Sequence, residues 1–176
     1  MNSSYIGKIP SGTPNQINVV IEITKGSNIK YEVDKDSGLL FVDRKLFTAM
    51  YYPCNYGFIP STLEDDGDPV DVLIIGEFVL VPLSIIKAIP VGVLLTEDEE
   101  GQDAKIIAIP INKIDPTFSS IKDVHNIPNS LKKQIEHFFA HYKELEGGKF
   151  VKITGWGNKE MAETKITEAS KRYLKT

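Results

Sequence analysis

The stretch Asp66-Gly67-Asp68-Pro69-Val70-Asp71-Val72-Leu73-Ile74-Ile75 joins a carboxylate-rich turn directly to an apolar run. Asp-Gly and Asp-Pro are turn signals, and the aliphatic residues after them predict a strand. A generic acidic turn would account for Asp66 and Asp68. It does not account for Asp71, because a strand with apolar neighbours favours an uncharged residue at that position. Three carboxylates this close repel one another, so the stretch predicts a bound cation as well as a turn and a strand.

Mg²⁺ is the cation that this acidic turn favours, because it takes oxygen ligands and keeps waters for a phosphate-bearing substrate. A calcium-binding EF-hand loop is the alternative, since Asp66 and Asp68 match its first and third positions and Glu77 its twelfth. The sixth position of that loop requires glycine, but Asp71 stands there, and the flanking segments are typical of strands. The turn therefore indicates metal-dependent phosphate chemistry.

Length and composition are those of an ordinary globular domain. The chain has 176 residues, of which 41% are hydrophobic and 25% charged, so we predict a single domain over 1–176 with a polar N-terminal segment at 1–14. Its 20 basic and 24 acidic residues give a net charge of −4, which argues against a general nucleic-acid binder. An anionic substrate would meet net repulsion unless cations cluster locally.

Cysteine usage and hydropathy indicate a cytoplasmic protein. The single cysteine, Cys54, cannot form an internal disulfide, and we expect a buried structural thiol rather than a nucleophile. Segment 1–14 has no basic region followed by an apolar core, so no secretory signal is expected. The longest apolar stretch, 76–95, is interrupted by two charged residues and two prolines, so no membrane span is predicted.

The first two-thirds of the chain consists of short β-branched runs separated by turns. The predicted strands lie at 17–23, 30–33, 38–44, 70–75, 85–93 and 105–110. Several short strands at this spacing are typical of a barrel or a sandwich.

The last third changes from strand to helix periodicity. Apolar residues recur at helical spacing from Leu131 to Leu145, after Pro128-Asn129-Ser130 and before Gly147-Gly148. A strand at 149–153 and a closing helix from about Asn158 follow. The apolar side of that helix comprises Met161, Ala162, Ile166, Ala169 and Tyr173. We therefore predict an α+β fold, mainly β, with a closed β core and about two packed α-helices.

A second acidic cluster, Glu97-Asp98-Glu99-Glu100-Gly101-Gln102-Asp103, lies between two strand-like runs. Most charge runs of this kind are solvated hairpin loops. Here, however, both ends are anchored in strands, and alternation places Asp103 and Lys105 on the same strand face. A carboxylate beside an ammonium group suits a site that binds both a metal and phosphate.

Cations and tyrosines complete the candidate site. The candidate phosphate-binding cations are Lys30, Arg44, Lys105 and Lys143. Arginine suits bidentate contacts with phosphate oxygens, whereas lysine acts as a compact point charge. Tyr52 and Tyr56 lie just before the first acidic loop. For each of them, packing in the core is as good an explanation as a place in the site.

His137 and His141 lie four residues apart on the predicted long helix and could clamp a metal. No glutamate falls between them to act as a general base, since Glu136 precedes the pair. We therefore favour a helix surface or a subunit contact over a zinc site.

Taken together, these motifs resemble those of the soluble family I inorganic pyrophosphatases of the bacterial type. The resemblance runs from about Asn18 to the C-terminal helix, and the family signature matches 66–72 without a gap. Further family motifs match 20–23, 29–32, 41–44, 52–57, 98–105 and 141–143. The resemblance implies an OB-like five-stranded β-barrel with packed helices.

The resemblance also implies a role for each matching residue. Asp68 would be the general base for the attacking water, and Asp71 would be shared between two Mg²⁺ ions. The metal donors would be Asp66, Asp71, Asp98, Asp103 and Glu22. The phosphate groups would be bound by Lys30, Arg44, Tyr56, Lys105, Tyr142 and Lys143. Glu32 and Tyr52 would support these residues.

The implied activity is hydrolysis of inorganic pyrophosphate to two orthophosphates with several Mg²⁺ ions per active site. Such an enzyme would drive biosynthetic reactions that release pyrophosphate. Bacterial members are usually hexamers built as paired trimers, so a homohexamer is expected, with the helix carrying His137 and His141 at a subunit contact. Two alternatives stay open: a non-catalytic metal- or phosphate-binding module, and a hydrolase that acts on nucleoside polyphosphates.

Overall fold

Strands dominate the structure, a computed structural model that describes residues 5–99 and 101–175. The strands are β1 (Gly12–Thr13), β2 (Gln16–Ile23), β3 (Ile29–Val33), β4 (Leu40–Lys45), β5 (Asn55–Phe58), β6 (Asp71–Ile74), β7 (Ile85–Asp98), β8 (Gly101–Pro110) and β9 (Val151–Gly157). The α-helices are α1 (Asn129–His141) and α2 (Lys159–Tyr173), and short 3₁₀ turns lie at Tyr5–Lys8 and Val124–Asn126.

Five strands close into a ring. β2 pairs with β5, β5 with β6, β6 with β8, β8 with β7, and β7 returns to β2. The β6–β8 pair is parallel and the other four pairs of the ring are antiparallel. β7 closes the ring because its first residues pair with β2 while the rest of its length pairs with β8 and β9. The predicted closed five-stranded barrel is confirmed, as is the mainly β α+β fold.

Both faces of the ring strands are buried, which explains their continuous apolar runs. Along β6, Val72 packs in one core cluster with Ala162 and Ile166 of α2. The next residue, Leu73, packs in a second cluster with Phe139 of α1. Because successive side chains of a strand point to opposite faces, α1 and α2 cover different faces of the same strands.

Gly57 allows β5 to approach β2 closely. A Cβ atom at this position would lie 1.9 Å from the carbonyl oxygen of Val20, closer than any real Cβ contact. The glycine therefore lets the strand that carries Tyr56 join the ring at this point.

Most predicted strands are confirmed, and three differ in extent. β7 continues to Asp98 and β8 begins at Gly101, because antiparallel pairing extends into the acidic segment as far as Asp98 opposite Gly101. β9 begins at Val151 and extends beyond the predicted end at 153 to Gly157. Strand β5 was missed, since its sequence Asn-Tyr-Gly-Phe has no β-branched residue and its four residues are buried by position in the ring rather than by alternation.

The two predicted helices are confirmed, but α1 is shorter than expected. It ends at His141, and the residues that follow form turns in which Glu146 N–H donates to the carbonyl oxygen of Lys143 at 2.9 Å. Leu145 is consequently 62% exposed instead of extending the apolar face. α2 begins where predicted, with the Asn158 side chain accepting a hydrogen bond from Met161 N–H at 3.0 Å.

One polar contact joins α1 to the barrel. The indole N–H of Trp156 on β9 donates to the Glu136 carboxylate on α1. Trp156 also packs against the core cluster that contains Ile135 and Phe139. The helix is therefore docked both by apolar burial and by a directed hydrogen bond.

Part of the N-terminal segment 1–14 is described. Residues 1–4 lie outside the described part of the chain, and β1 pairs with β2 further along the segment. Among the described residues, no helix is both long and apolar enough to cross a membrane.

Truncating Phe139 tests the packing of α1. The side chain is 1% exposed, so Phe139→Ala should lower the free energy of unfolding by about 3–5 kcal/mol through lost burial and a residual cavity. Guanidinium denaturation at one fixed protein concentration measures the change. Leu145→Ala, at a position 62% exposed, is the control and should shift stability by less than about 0.5 kcal/mol. Equal effects of the two variants would contradict the packing described above.

Candidate active site

A cavity of about 450 Å³ lies where β6 and β8 begin. Side chains reach it from β2, β3, β5, β6, β7 and β8, from the acidic loop before β6, and from the turn after α1. It contains most of the residues predicted for the site, namely Glu22, Lys30, Glu32, Tyr56, Asp66, Asp68, Asp71, Asp98, Asp103, Lys105, Tyr142 and Lys143. Residues up to 121 positions apart in sequence, Glu22 and Lys143, therefore converge on one depression.

Lys105 lies at the centre of this cavity and is 4% exposed. Its ammonium group donates to Asp71 Oδ2 at 2.6 Å and to Asp103 Oδ2 at 2.8 Å. The parallel register of β6 and β8 places Asp71 opposite Lys105. The predicted pairing of Asp103 with Lys105 on one strand face is thus confirmed, and Lys105 is the partner that a carboxylate within an apolar strand requires.

Tyr56 adds a hydroxyl group to this centre. Its O–H donates to Asp71 Oδ2, the same oxygen that accepts from Lys105. Burial raises the pKa of Tyr56 well above its ordinary value, and the neighbouring Asp71 adds to the rise. Burial likewise raises the pKa of Tyr142. Both phenols therefore keep their protons at neutral pH and can donate hydrogen bonds.

Burial and charge pairing oppose each other at the central groups. Burial by itself lowers the pKa of Lys105, but Asp71, Tyr56 and Asp103 outweigh it and hold the pKa well above its usual range. Burial raises the pKa of Asp103, yet Lys105 outweighs burial and the net pKa is lowered. Lys105 is therefore charged at neutral pH, and Asp103 is ionised beside it.

Two further lysines flank the centre. Lys143, in the turn after α1, donates to Asp98 Oδ2 at 3.1 Å. Lys30, on β3, pairs with Glu32 and lies 3.0 Å from Asp43 Oδ2. Each lysine is neutralised by carboxylates in this arrangement, so each can be retained at the cavity before an anionic ligand arrives.

Two predicted residues, Arg44 and Tyr52, do not line the cavity. Arg44 pairs across the β3–β4 hairpin with Lys30, and its Nε donates to the Glu146 carboxylate at 2.8 Å. Its Nη2 is buried and has no hydrogen-bond partner among the described residues. Because an unpaired buried donor is costly, this nitrogen fits an anionic ligand held beside Lys30.

Tyr52 lies behind the cavity as a core aromatic. Its side chain is 3% exposed, and its ring centroid lies 5.5 Å from that of Tyr56 and 4.7 Å from that of Phe138. Of the two interpretations left open for the tyrosines, core packing applies to Tyr52, whereas Tyr56 both packs and reaches the site.

The loop before β6 contributes its carboxylates at the mouth of the cavity. Asp68 N–H donates to Asp66 Oδ1 at 2.9 Å, and Glu64 N–H donates to the Asp68 carbonyl oxygen at 2.7 Å. The side chain of Asp68 is 69% exposed, in contrast to the buried centre. β6 follows this loop instead of the helix that an EF-hand would have, so the EF-hand alternative is wrong.

Sequence reasoning missed two acidic residues that line the cavity. Glu64 and Asp65 precede the recognised motif, and Arg172 of α2 contacts Asp65 Oδ1 at 3.1 Å and the Leu63 carbonyl oxygen at 2.6 Å. Their position directly before Asp66 in the sequence was the signal that could have identified them. The pairing with Arg172, more than 100 residues away, could not be read from spacing.

The donor set of the cavity fits a hard divalent cation. Nine described carboxylate side chains line it against the three lysines Lys30, Lys105 and Lys143. Burial raises the pKa of Glu22 to about 8, and Asp71 and Glu32 add to the rise. A cation at this position would favour the ionised form of Glu22, which burial and the two neighbouring carboxylates disfavour. In the described residues, however, no three His, Cys, Asp or Glu side chains are grouped closely enough to hold a metal.

Two other candidate reactive groups are the Cys54 thiol and the His137–His141 pair. Cys54 is buried, and burial raises the pKa of its thiol to about 12, as expected of a structural thiol. The rings of His137 and His141 lie side by side on the outside of α1, with centroids 4.5 Å apart and planes tilted by 30°. His141 Nδ1 lies 2.9 Å from the His137 carbonyl oxygen, so a backbone contact engages one candidate zinc ligand.

Comparisons with known proteins point to one family. The model of the inorganic pyrophosphatase family matches residues 19–174. An inorganic pyrophosphatase from Rickettsia prowazekii is 58% identical over 170 residues, covering 96% of this chain and 99% of the relative. One from Sulfolobus acidocaldarius is 56% identical over 159 residues, covering 90% of this chain and 92% of the relative.

Solved structures agree with the sequence relatives. The inorganic pyrophosphatase of Helicobacter pylori superposes with a TM-score of 0.92 at 50% identity, covering 94% of this chain and 98% of the other. The family match begins within β2 and ends after α2, and it includes every described residue that lines the cavity. The chain therefore belongs to the inorganic pyrophosphatase family.

Proposed function

We propose that this chain hydrolyses inorganic pyrophosphate to two orthophosphates with Mg²⁺ as its cofactor, and so draws forward biosynthetic reactions that release pyrophosphate. The observation that carries the proposal is the buried Lys105 ammonium between Asp71 and Asp103, with Lys30 and Lys143 at the same cavity. One depression thus offers both cation ligands and phosphate-binding cations. That combination suits a small polyanion delivered with metal ions.

The carboxylates assigned to metal binding would hold several Mg²⁺ ions per active site. These donors are Asp66, Asp71, Asp98, Asp103 and Glu22, all of which line the cavity. Carboxylate oxygens are the side-chain ligands that Mg²⁺ prefers. When bound, Mg²⁺ would lower the pKa of water towards neutrality and offset the charge of the substrate.

Asp68 is the proposed general base. It lies at the mouth of the cavity with 69% of its side chain exposed, against 29% for Asp71, so a water molecule can reach its carboxylate. In the proposed step, Asp68 accepts a proton from the water that attacks phosphorus. A carboxylate held at the mouth of the cavity suits this role better than one that neutralises a buried ammonium.

Cations and phenols would bind the phosphate groups. The assigned residues are Lys30, Arg44, Lys105, Lys143, Tyr56 and Tyr142. Arg44 has a buried nitrogen ready to donate, and the phenols stay protonated at neutral pH. These groups neutralise charge that develops on the leaving phosphate, which is electrostatic stabilisation and positioning rather than covalent chemistry.

Two residues would support this set. Glu32 pairs with Lys30 and limits where its ammonium group can lie. Tyr52 packs beneath Tyr56 and so fixes the ring that carries the donor hydroxyl. Their contribution is to orient neighbours rather than to contact the substrate.

Resemblance to bacterial members also supports a homohexamer of paired trimers and a cytoplasmic location. The His137–His141 face of α1 would form a subunit contact. The position of these rings on the outside of the helix is compatible with that role.

Phosphate release from pyrophosphate, with and without Mg²⁺, is the decisive assay. We expect rapid Mg²⁺-dependent release from pyrophosphate and little from ATP, because no P-loop or base-stacking pocket was found in the sequence. Comparable rates on both substrates would favour the nucleoside-polyphosphate alternative. No release with any divalent cation would favour the binding-module alternative.

Replacing the proposed base should separate chemistry from folding. Asp68→Asn removes the proton acceptor but keeps the shape of the side chain, so kcat should fall by about 10²–10⁴-fold while thermal stability stays unchanged. Steady-state kinetics and a melting curve measure the two effects. Asp115→Asn, in an exposed turn far along the chain, is the matched control and should leave kcat unchanged. Turnover near the wild-type rate in Asp68→Asn would sink the assignment.

The raised pKa of Glu22 predicts a pH-dependent stability. In the metal-free protein the folded state holds this proton up to a pH of about 8, whereas the unfolded chain releases it near 4.5. The folded state therefore binds more protons across that window, and stability should fall as pH rises through it. Glu22→Gln should flatten the trend in melting temperature between pH 5 and 8.5, measured in EDTA. Parallel pH profiles for the two proteins would contradict the raised pKa of Glu22 in the folded state.

A further inference from the structure

The tip of the β3–β4 hairpin reaches across to the acidic loop that precedes β6. Lys35, two residues after β3, donates from Nζ to Asp68 Oδ1 at 2.6 Å. The same ammonium group donates to the carbonyl oxygen of Gly67 at 2.9 Å. One side chain of the hairpin therefore contacts both the carboxylate and the backbone of the loop that carries the proposed base.

The hairpin tip holds Lys35 through a compact set of local hydrogen bonds. Asp34 N–H donates to the Leu39 carbonyl oxygen at 2.9 Å, and Gly38 N–H donates to the Asp34 carbonyl oxygen at 2.8 Å. The Asp34 carboxylate accepts from Ser37 N–H at 2.7 Å. Because these bonds close the turn on both sides of Lys35, its backbone is fixed relative to β3 and β4.

Lys35 also distinguishes the two oxygens of Asp68. Oδ1 accepts from the ammonium group, whereas no described residue donates a hydrogen bond to Oδ2. The backbone N–H of Asp68 is engaged separately by Asp66. A side chain that is 69% exposed would otherwise turn freely about χ1 and χ2. With Oδ1 held, Oδ2 is the oxygen available to a water molecule.

We propose that Lys35 is a positioning residue that holds the Asp68 carboxylate in the orientation in which it accepts the proton from the attacking water. The proposal rests on the function proposed above, in which Asp68 is the general base. In this proposal a residue of the hairpin tip, which does not line the cavity, influences kcat through its contact with the carboxylate of the base. Small errors in the placement of a catalytic group reduce rates strongly, so loss of that contact should be measurable.

Because this ion pair is exposed, an experiment can distinguish a positioning role of Lys35 from a structural one. The Lys35 and Asp68 side chains are 65% and 69% exposed, and such exposed pairs contribute little to stability. In the part of the chain that the structure describes, the Lys35 ammonium group contacts only Asp68 and Gly67 and none of the proposed phosphate-binding residues. Removing its ammonium group should therefore lower kcat without altering thermal stability or substrate affinity.

Kinetics of three variants test the proposal. Lys35→Met keeps the aliphatic chain and removes the charge, and we expect kcat to fall about tenfold with KM and melting temperature nearly unchanged. Lys35→Arg restores a cationic donor and should recover most of the loss. Lys159→Met is the matched control, since Lys159 pairs only with Glu163 along α2 in the described contacts, and it should behave as wild type.

A double variant identifies the route of the effect. If Lys35 acts through Asp68, Lys35→Met should cause no further loss of kcat in an Asp68→Asn background. An unchanged kcat in Lys35→Met, a change confined to KM, or full additivity in the double variant would each overturn the proposal. A wild-type protein that does not hydrolyse pyrophosphate would instead refute the proposed function, so the two failures are distinguishable.

Discussion

The contact between the Lys105 ammonium group and the carboxylates of Asp71 and Asp103 is the constraint on which the site depends. A lysine that is 4% exposed is costly without partners, and each partner would be costly without the lysine. The parallel register of β6 and β8 supplies the pairing directly, since Asp71 lies opposite Lys105. The pairing of β6 with β8 therefore both contributes to the closed strand ring and brings these charged groups together.

The remaining groups of the cavity are arranged around this charged centre. β5 lies against β2 at Gly57, which brings the Tyr56 hydroxyl onto Asp71, and the turn after α1 brings Lys143 onto Asp98. Directed contacts thus hold the groups of the buried centre in place. The loop that carries Asp68 lies outside it, anchored by Lys35 on one side and by Arg172 on the other. Rigid charge at the centre and an accessible carboxylate at the rim are what a polyanion and an attacking water separately need.

The sequence predicted the parts of this arrangement that repeat along the chain. Alternation placed Asp103 with Lys105, helical spacing located α2, and turn signals ended the acidic loop before β6. Contacts between distant segments were not predictable, because no local period encodes them: Arg172 reaches Asp65 across more than 100 residues, and Glu146 reaches Arg44 in the same way. β5 escaped prediction because neighbouring strands, rather than its own residues, keep it extended. The roles proposed for individual residues come from the family resemblance, because spacing alone does not assign them.

The hydrogen bond between Trp156 and Glu136 gives the protein an intrinsic optical probe. Trp156 is the single tryptophan of the chain, so the indole emission of the whole molecule comes from the seam between β9 and α1. The same helix leads directly into the turn that carries Tyr142 and Lys143. The emission of that one ring thus reports how firmly the helical wall of the cavity is seated, without any label and without disturbing the charged centre.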